Sequence, residues 1–501
     1  MGNDLTKAIQ YCWRGGFIPQ GFNAIFLLLL PKVKNAKKAG QFRPIGLMNF
    51  SFKVITKIIS SRFGSLIQKI VSPQQGAFIK GRNIQEQIVL ASELVNELEI
   101  KSRGGNLGIK LDISQAYDSL SWEFLFHVNE EVWFFRKRNL LASYFAEICK
   151  NISSVEWWTC GVLSSRDGTQ ARRNVKKLAA LLKDYQAAPG QIFNLAKSKC
   201  FIGGTSDLRK QQIADECRMP LSTFPYKYLG VMLTPGRIKS QHVWNCVEQI
   251  QASLTGWMGK LLSFQERLIL VKHVLCSIPI YSMSVYKWPQ RVLKECEQII
   301  KKFLWPGDPA KRKSITLKWD KVCSPFEEGG LGQRRLEIMN KALFMKPWWK
   351  MMNSKEEWAR YFQEKFLTKN GEWIGYHKKS SILPGLKWIS EDVKNFTRWI
   401  VGNGGNISVW NDTWIKEKPL GELYPENIYL NQFPNMKFAN LIIDGEWVMP
   451  TELLEMVSVN ELPVISIVDD KRIWCGTITG ELIVSSAVEC IRTKYPKVSW
   501  S

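Results

Sequence analysis

Apolar residues recur at helical spacing in two long stretches near the start of the chain. Between Phe52 and Val71, the residues Val54, Ile55, Ile58, Ile59, Phe63, Leu66 and Ile67 fall on one face of a 3.6-residue period. That spacing predicts an amphipathic helix ended near Pro73. Gln85 to Ile100 repeats the pattern through Ile88, Val89, Leu90, Leu94, Val95 and Leu98. A short helix is expected from Asp4 to Trp13, followed by a Gly/Pro turn. Ile25 to Leu30 is an unbroken apolar run, far too short to span a bilayer. With Ala24 it reads as a buried strand leaving toward a basic loop of Lys32, Lys34, Lys37 and Lys38. Phe42 to Leu47 is extended, because the residue before Pro44 avoids the α region. Gly104-Gly105 turns into the short apolar strand Gly108 to Leu111, which delivers Asp112.

Regularity is lost from Glu130 to Arg172, where Trp133, Phe134, Phe135, Trp157 and Trp158 follow no clean period. Helical spacing returns at Ala171–Tyr185, Gln241–Leu254, Phe264–Cys276, Arg291–Leu304 and Leu336–Met352. The chain after Pro384 has shorter, mixed elements. Gly402-Asn403-Gly404-Gly405-Asn406 is a hairpin-like turn flanked by Trp399 and Trp410. No regular repeat is evident. The pattern is that of an α+β protein, and 501 residues exceed one ordinary core.

Composition changes this picture in three ways. The 69 Lys and Arg against 45 Asp and Glu give a formal charge of +24. That balance favours a polyanionic partner, nucleic acid first and an anionic membrane surface second. The 21 Trp residues lie mostly after Gly256, often in helical stretches such as Lys346-Pro347-Trp348-Trp349-Lys350. Core packing accounts for them better than base stacking does. Eleven Cys form no CxxC pair and there are four His, so no structural zinc is expected. The odd count without a secretory signal points to reduced thiols and an intracellular protein, nuclear or cytoplasmic, with no transmembrane segment.

The candidate chemistry centres on Lys110-Leu111-Asp112-Ile113-Ser114-Gln115-Ala116-Tyr117-Asp118, where a strand delivers a carboxylate and an aromatic follows. Ahead of it, in order, stand Leu30-Pro31-Lys32, Phe42-Arg43-Pro44-Ile45, Lys53 with Lys57, Ser72-Pro73-Gln74-Gln75-Gly76-Ala77-Phe78 and Gly81-Arg82-Asn83-Ile84. Behind it come Gly190-Gln191 with Asn194, Lys197-Ser198 and Tyr228-Leu229-Gly230. Further on are Phe303-Leu304-Trp305, Gly329-Gly330-Leu331-Gly332 and Trp410-Asn411-Asp412-Thr413-Trp414. This ordered series resembles the reverse transcriptase of plant LINE-type, non-LTR retrotransposons over most of the chain, except about residues 127–168. No single motif is unique, but their order is highly specific.

The resemblance implies a partial fingers and palm over residues 1–126 and a degenerate junction over 127–170. A palm remnant with a helical thumb would follow over 171–305, a helical connector over 306–395, and a Trp-rich mixed region over 396–501. It implies RNA-directed DNA synthesis with Mg²⁺ on an RNA or DNA template and primer. By the same resemblance Asp112 is the first metal ligand, although such an Asp is also an ordinary solvated strand end. Tyr117 would lie under the sugar, where it would select deoxynucleotides, or pack as a half-buried aromatic. Lys32 and Arg43 would meet nucleotide phosphates or template, Lys197 the triphosphate, and Arg82 the template side. Each of these cations taken alone is as readily a solvated surface charge.

The departures matter as much. The family follows the Asp112 strand with a Gln-Gly-Asp-Pro segment and then a hairpin ending in Asp-Asp, which supplies the other metal ligands. Here Asp118 and Gly190 are joined by too little chain, and between them, among Glu123, Glu130, Glu131, Glu147, Glu156, Asp167 and Asp184, there is no adjacent Asp pair. An internal deletion, or a mis-spliced reading of the gene, joining near His127 to near Gly161 is the simplest account, with truncation at both ends and loss of catalysis. Two alternatives stay open. One is a nucleic-acid-binding remnant without chemistry. The other is an active polymerase completed by Asp469 and Asp470, a carboxylate pair after the apolar run Ile465 to Val468.

Overall fold

The computed structural model describes residues 2–15, 17, 19, 24–72, 74–102, 104–114, 119–124, 127, 160–164, 168–187, 189–255, 261–307, 317–368, 371–465 and 468–499. Tyr117, Asp118 and most of the junction at 127–170 lie outside them. The chain is a mixed α+β protein that divides into two compact units. One comprises residues 1–84 and 97–224, the other 85–96 and 225–501.

The first unit begins with helix α1 (Gly2–Gly15), then strands β1 (Ile25–Pro31) and β2 (Phe42–Met48). These two strands form an antiparallel ribbon in which Leu30 faces Arg43 and Pro31 faces Phe42. The unbroken apolar run is therefore a strand, but not a buried one: Phe26 is 83% exposed and Leu27 61%. A continuous apolar strand is buried only when layers cover both its faces, and β1 has a single partner in a two-stranded sheet.

Helix α2 (Phe50–Ile70) starts at Asn49, whose side chain accepts from the Ser51 amide. Its Phe52, Ile55 and Ile59 are buried, the latter two in a small core with Cys12 of α1. Helix α3 (Ile84–Leu98) follows, then β3 (Asn106–Lys110) and β4 (Ile113–Ser114). β5 (Cys160–Ser164), α4 (Gly168–Ala187), β6 (Ile192–Phe193), β7 (Lys199–Gly203) and α5 (Asp207–Cys217) complete the elements used below.

β3 lies between β5 and β7, antiparallel to both, and β4 pairs with β6. Alternation puts Leu107, Ile109 and Leu111 on one face, where they pack with Cys200, Val175 of α4 and Ile213 of α5. The Asn106 side chain donates to the carbonyls of Glu97, Leu98 and Ile100, at 3.2, 3.2 and 2.7 Å. It thereby satisfies the C-terminal end of α3, whose last carbonyls have no helical partner. The sheet meets that helix end too closely for side chains. A Cβ on Gly203 would stand 2.1 Å from the Leu98 carbonyl oxygen. Gly203→Ala is expected to lower stability by about 2 kcal/mol, read as a shift of the urea midpoint. An unchanged midpoint would show that α3 does not end there.

In the second unit the helix Leu336–Asn353 buries residues all round, including Met339, Phe344, Met345, Trp348 and Trp349. A helix apolar on every side is a core helix, and this one accounts for much of the Trp-rich composition. The helix Gln290–Leu304 buries Val292, Leu293, Cys296, Ile299, Ile300 and Phe303 along one stripe. The helix expected at Phe264–Cys276 is α-helical only to Leu270, then widens into a π turn over Val271–Leu275. The stretch 402–406 is not a hairpin turn. The strand before it, Thr397–Ile400, pairs with Lys471–Trp474 instead, far along the chain. Cys12, Cys200, Cys246 and Cys296 are buried free thiols.

Candidate active site and nucleic-acid interface

Asp112 sits where two strand ladders meet. β3 pairs with β7 up to Lys110, and β4 pairs with β6 from Ile113 onward. Between them, Leu111 is buried and Asp112 half-buried. The turn from Asn194 to Ser198 closes on this junction. The Asp112 amide donates to Ser198 Oγ at 3.0 Å, and the Asp112 carbonyl accepts from the Asn194 amide at 2.7 Å. Ser198 Oγ in turn donates to the Asn194 carbonyl at 2.8 Å. The Lys197 amide donates to the Asn194 side-chain oxygen at 3.1 Å, which leaves the Lys197 side chain exposed on the turn.

Folding thus unites Asp112 with the Lys197 turn across a wide sequence separation. The backbone of Asp112 is fully used, so its carboxylate is held in place by the chain rather than by its own contacts. Sequence reasoning named Asp112 and Lys197 but missed the fastening between them. The signal is present in part in the sequence: Asn194 and Ser198 belong to the motif, and short polar side chains at turns bond to nearby backbone.

Lys32 and Arg43 lie together at the end of the β1–β2 ribbon, a sheet separate from that of Asp112. Both are exposed. Lys32 donates its amide to Gln41 at 2.7 Å and its Nζ to the Gly40 carbonyl at 3.2 Å. Arg82 has structural work of its own. Its guanidinium donates to the carbonyls of Gln68 (3.1 Å), Val71 (2.8 Å), Gln75 (2.9 Å) and Ser72. A cation gathering orphan carbonyls closes the C-terminal end of α2 and opposes its dipole.

A second feature escaped the sequence reading. Residues 5–85 carry thirteen Lys and Arg and no Asp or Glu. Just over half of the formal +24 therefore comes from this stretch, and it is not scattered evenly along the chain. Lys34, Lys37, Lys38, Lys53, Lys57 and Arg62 are all exposed, so the charge faces solvent on the ribbon and on α2.

The setting of Asp112 was tested against a pair of divalent ions. β5 reads Cys160, Gly161, Val162, Leu163, Ser164, and β7 reads Lys199, Cys200, Phe201, Ile202, Gly203; neither holds a carboxylate. The positions opposite Lys110 are Cys160 on one side and Lys199 on the other. Among the described residues, no three His, Cys, Asp or Glu gather where they could hold a metal ion. One carboxylate does not position two ions some 4 Å apart, so the described residues do not by themselves fit the metal pair.

The distant carboxylate pair is engaged elsewhere. Asp470 accepts the amides of Gly402 (2.8 Å) and Gly404 (2.9 Å) on one oxygen and that of Asn406 (2.8 Å) on the other. It fills the nest made by the Gly-Asn-Gly-Gly-Asn loop. Asp469 is exposed and pairs with Lys355 at 2.7 Å, which holds its carboxyl below the usual range.

Residues 33–170 match the reverse transcriptase (RNA-dependent DNA polymerase) family. A putative ribonuclease H protein of Arabidopsis thaliana is 37% identical over 198 residues, covering 37% of this chain and 31% of that protein. An uncharacterized protein of the Xenopus laevis transposon TX1 is 25% identical over 126 residues, or 25% of this chain and 10% of that protein. The chain is reverse transcriptase-like, of the non-LTR retrotransposon kind. Its affinity is with plants: an uncharacterized mitochondrial protein of Arabidopsis thaliana is 29% identical over 158 residues, covering 29% of this chain and 99% of that protein. This reverse transcriptase-like chain spans about a third of the first relative's length and a tenth of the second's. Reverse transcriptases generally use divalent metal ions and act on nucleic acid. No described helix of this one is long and apolar enough to cross a membrane.

Proposed function

We propose that this chain binds RNA or DNA on a reverse transcriptase framework without performing nucleotidyl transfer. The observation that carries this reading is Asp112. It is fastened to the Lys197 turn, and the strands paired on either side of β3 hold no second carboxylate, which supports this reading. The acid-free basic stretch at 5–85 supplies the electrostatic attraction to phosphates.

In this reading the β1–β2 ribbon and α2 serve as fingers, and β3 to β7 with α4 and α5 as palm. The helices from residue 240 to 304 correspond to the thumb, residues 306–395 to the connector, and 396–501 to a mixed terminal region. The shortened junction at 127–170 is read as an internal deletion that removes the Asp-Asp hairpin. Lys32, Arg43 and Lys197 meet phosphates, and Tyr117 lies at the sugar. Arg82 is not carried over, because its donors are committed to α2. Completion by Asp469 and Asp470 finds no support, since both oxygens of Asp470 hold a loop.

Two measurements test this. Filter binding of single-stranded RNA should show affinity falling steeply with salt, and Lys53→Met with Lys57→Met should flatten the log–log slope by roughly 1. Salt-independent binding, or none, would remove the reading. Primer extension on an RNA template with Mg²⁺ or Mn²⁺ should give no incorporation above background. Incorporation that disappears in Asp112→Ala would show instead that the site is complete.

A further inference from the structure

We propose that the second unit carries its own surface for single-stranded nucleic acid, formed by Arg237, Lys239 and Lys287 beside Trp388 and bordered by Tyr376. The inference deepens the nucleic-acid-binding reading and rests on it. Three stretches of this unit lack Asp and Glu altogether: residues 225–247, 267–294 and 373–390. Together they hold eleven Lys and Arg.

Folding brings the three stretches to one place. The Tyr286 hydroxyl donates to the Met232 carbonyl at 3.2 Å, and Ser381 Oγ donates to the Thr234 carbonyl at 3.0 Å. A Cβ on Gly236 would stand 3.4 Å from Lys379 Cε. Lys287 Nζ lies 4.6 Å from the centre of the Trp388 ring, and Lys341 Nζ lies 5.3 Å from the same ring. The indole face steadies both ammonium groups.

The cations at this junction are not spent on acids. Arg237 and Lys239 are exposed and Lys287 is half-buried, and none of the three is ion-paired among the described residues. The nearby carboxylates are engaged otherwise. Asp392 pairs with Lys341 at 2.7 Å. Glu337 accepts from Gln290 at 2.7 Å and lies 3.6 Å from Arg335. Burial first, and then the charges of Arg237 and Lys341, hold the Lys287 ammonium below the usual lysine range, against the pull of Glu337. A cation kept from water among like charges is relieved by a bound anion.

The aromatic border decides which anion. Tyr376 is 63% exposed and stands three residues before Lys379. An exposed ring beside unpaired cations suits a strand whose phosphates meet the cations while an unpaired base stacks on the ring. An acidic peptide would use the cations and leave the ring idle, and a duplex keeps its bases stacked within itself.

The test uses the full chain and a labelled single-stranded RNA across a salt series, with the annealed duplex and poly-glutamate as further probes. Arg237→Met with Lys287→Met should weaken single-strand binding roughly tenfold and flatten the log–log salt slope by about 1. Tyr376→Ala should weaken single-strand binding about fivefold and leave duplex binding unchanged. If Lys287→Met fails to fold, Arg237→Met with Lys239→Met reads the same surface. Single-strand binding that ignores these variants but falls with Lys53→Met and Lys57→Met overturns the surface and spares the broader reading. Poly-glutamate that competes as well as RNA at equal charge overturns the choice of nucleic acid in favour of an acidic peptide. An unmodified chain that binds no RNA at low salt removes the broader reading and this surface with it.

Discussion

Glu93→Ala is expected to destabilise the second unit by about 3–5 kcal/mol, the cost of breaking a buried ion pair from one side. Glu93 is fully buried, and Lys365 nearly so. One carboxylate oxygen accepts from Ser380 Oγ at 2.6 Å and from the amides of Ser381 and Ile382, both at 3.0 Å. The other lies 3.0 Å from Lys365 Nζ. Removing the carboxylate strands the Ser381 amide and takes from the buried Lys365 ammonium its counter-charge, while the Tyr361 hydroxyl stays 3.2 Å from it. The same network continues along the helix. Ser92 Oγ meets the Tyr286 hydroxyl at 2.6 Å, and Asn96 takes the Gly236 amide on its side-chain oxygen at 2.7 Å. Replacing both charges with apolar residues of similar size, Glu93→Leu with Lys365→Met, should recover much of the loss, because no buried charge is then left alone. Urea melts of the three chains, followed by tryptophan fluorescence, measure this. A Glu93→Ala midpoint equal to that of the unmodified chain would mean the pair is not formed.

That experiment also bears on what could be read from sequence. The helical period over Gln85–Ile100 predicts α3 closely, and the observed helix runs from Ile84 to Leu98. Nothing in the period says which core it joins. Its middle belongs with residues 225–501 although it lies inside the reverse transcriptase match at 33–170. Periodicity reports that a face is buried, not against what. The apolar run at Ile25–Leu30 shows the same gap from the other side: strand formation is local, whereas burial depends on layers supplied by distant chain. The tryptophans were the easier inference. Trp288, Trp410 and Trp474 are almost wholly buried, as core packing of large apolar residues requires, although none of the three lies in a helix. At the candidate site, Asp112 was legible because its motif is compact. The basic stretch at 5–85 is legible too, but only position by position, because a total charge hides how the acids are distributed. Arg82 illustrates a further limit. A motif can mark a residue without revealing that its donors are spent on a helix end.

Asp470→Ala carries the second large effect, about 3 kcal/mol, and it separates two explanations of one carboxylate pair. If Asp470 helped hold a metal, the substitution would alter ion binding and leave the fold almost untouched. Its three amide contacts predict the opposite. Hydrogen bonds to a charged acceptor each contribute about 1.5–3 kcal/mol, and partial exposure together with retained solvation of the freed amides reduces their sum. The loop is also tied outward, by the Ala439 amide to the Gly404 carbonyl at 3.0 Å and by Lys437 Nζ to the Gly405 carbonyl at 2.9 Å, but only Asp470 gathers its amides. Gly404 has a φ of +72°, and a Cβ there would fall 2.7 Å from the Ala439 nitrogen, so the backbone is drawn tightly around the carboxylate. Behind it lie the buried Val401, Ile407, Val409 and Trp410, whose packing the loop aligns. The expected result is a lowered urea midpoint with unchanged response to Mg²⁺, and Asp470→Asn should fall between the two because its amide oxygen still accepts. Asp469→Ala, which removes an exposed, solvent-screened pair with Lys355, should leave the urea midpoint nearly unchanged. Adjacent carboxylates invite reading as one chemical unit, yet here neighbouring positions do unrelated work. A stable Asp470→Ala protein that had lost a response to divalent ions would reverse that conclusion and restore the pair as candidates for the missing ligands of Asp112.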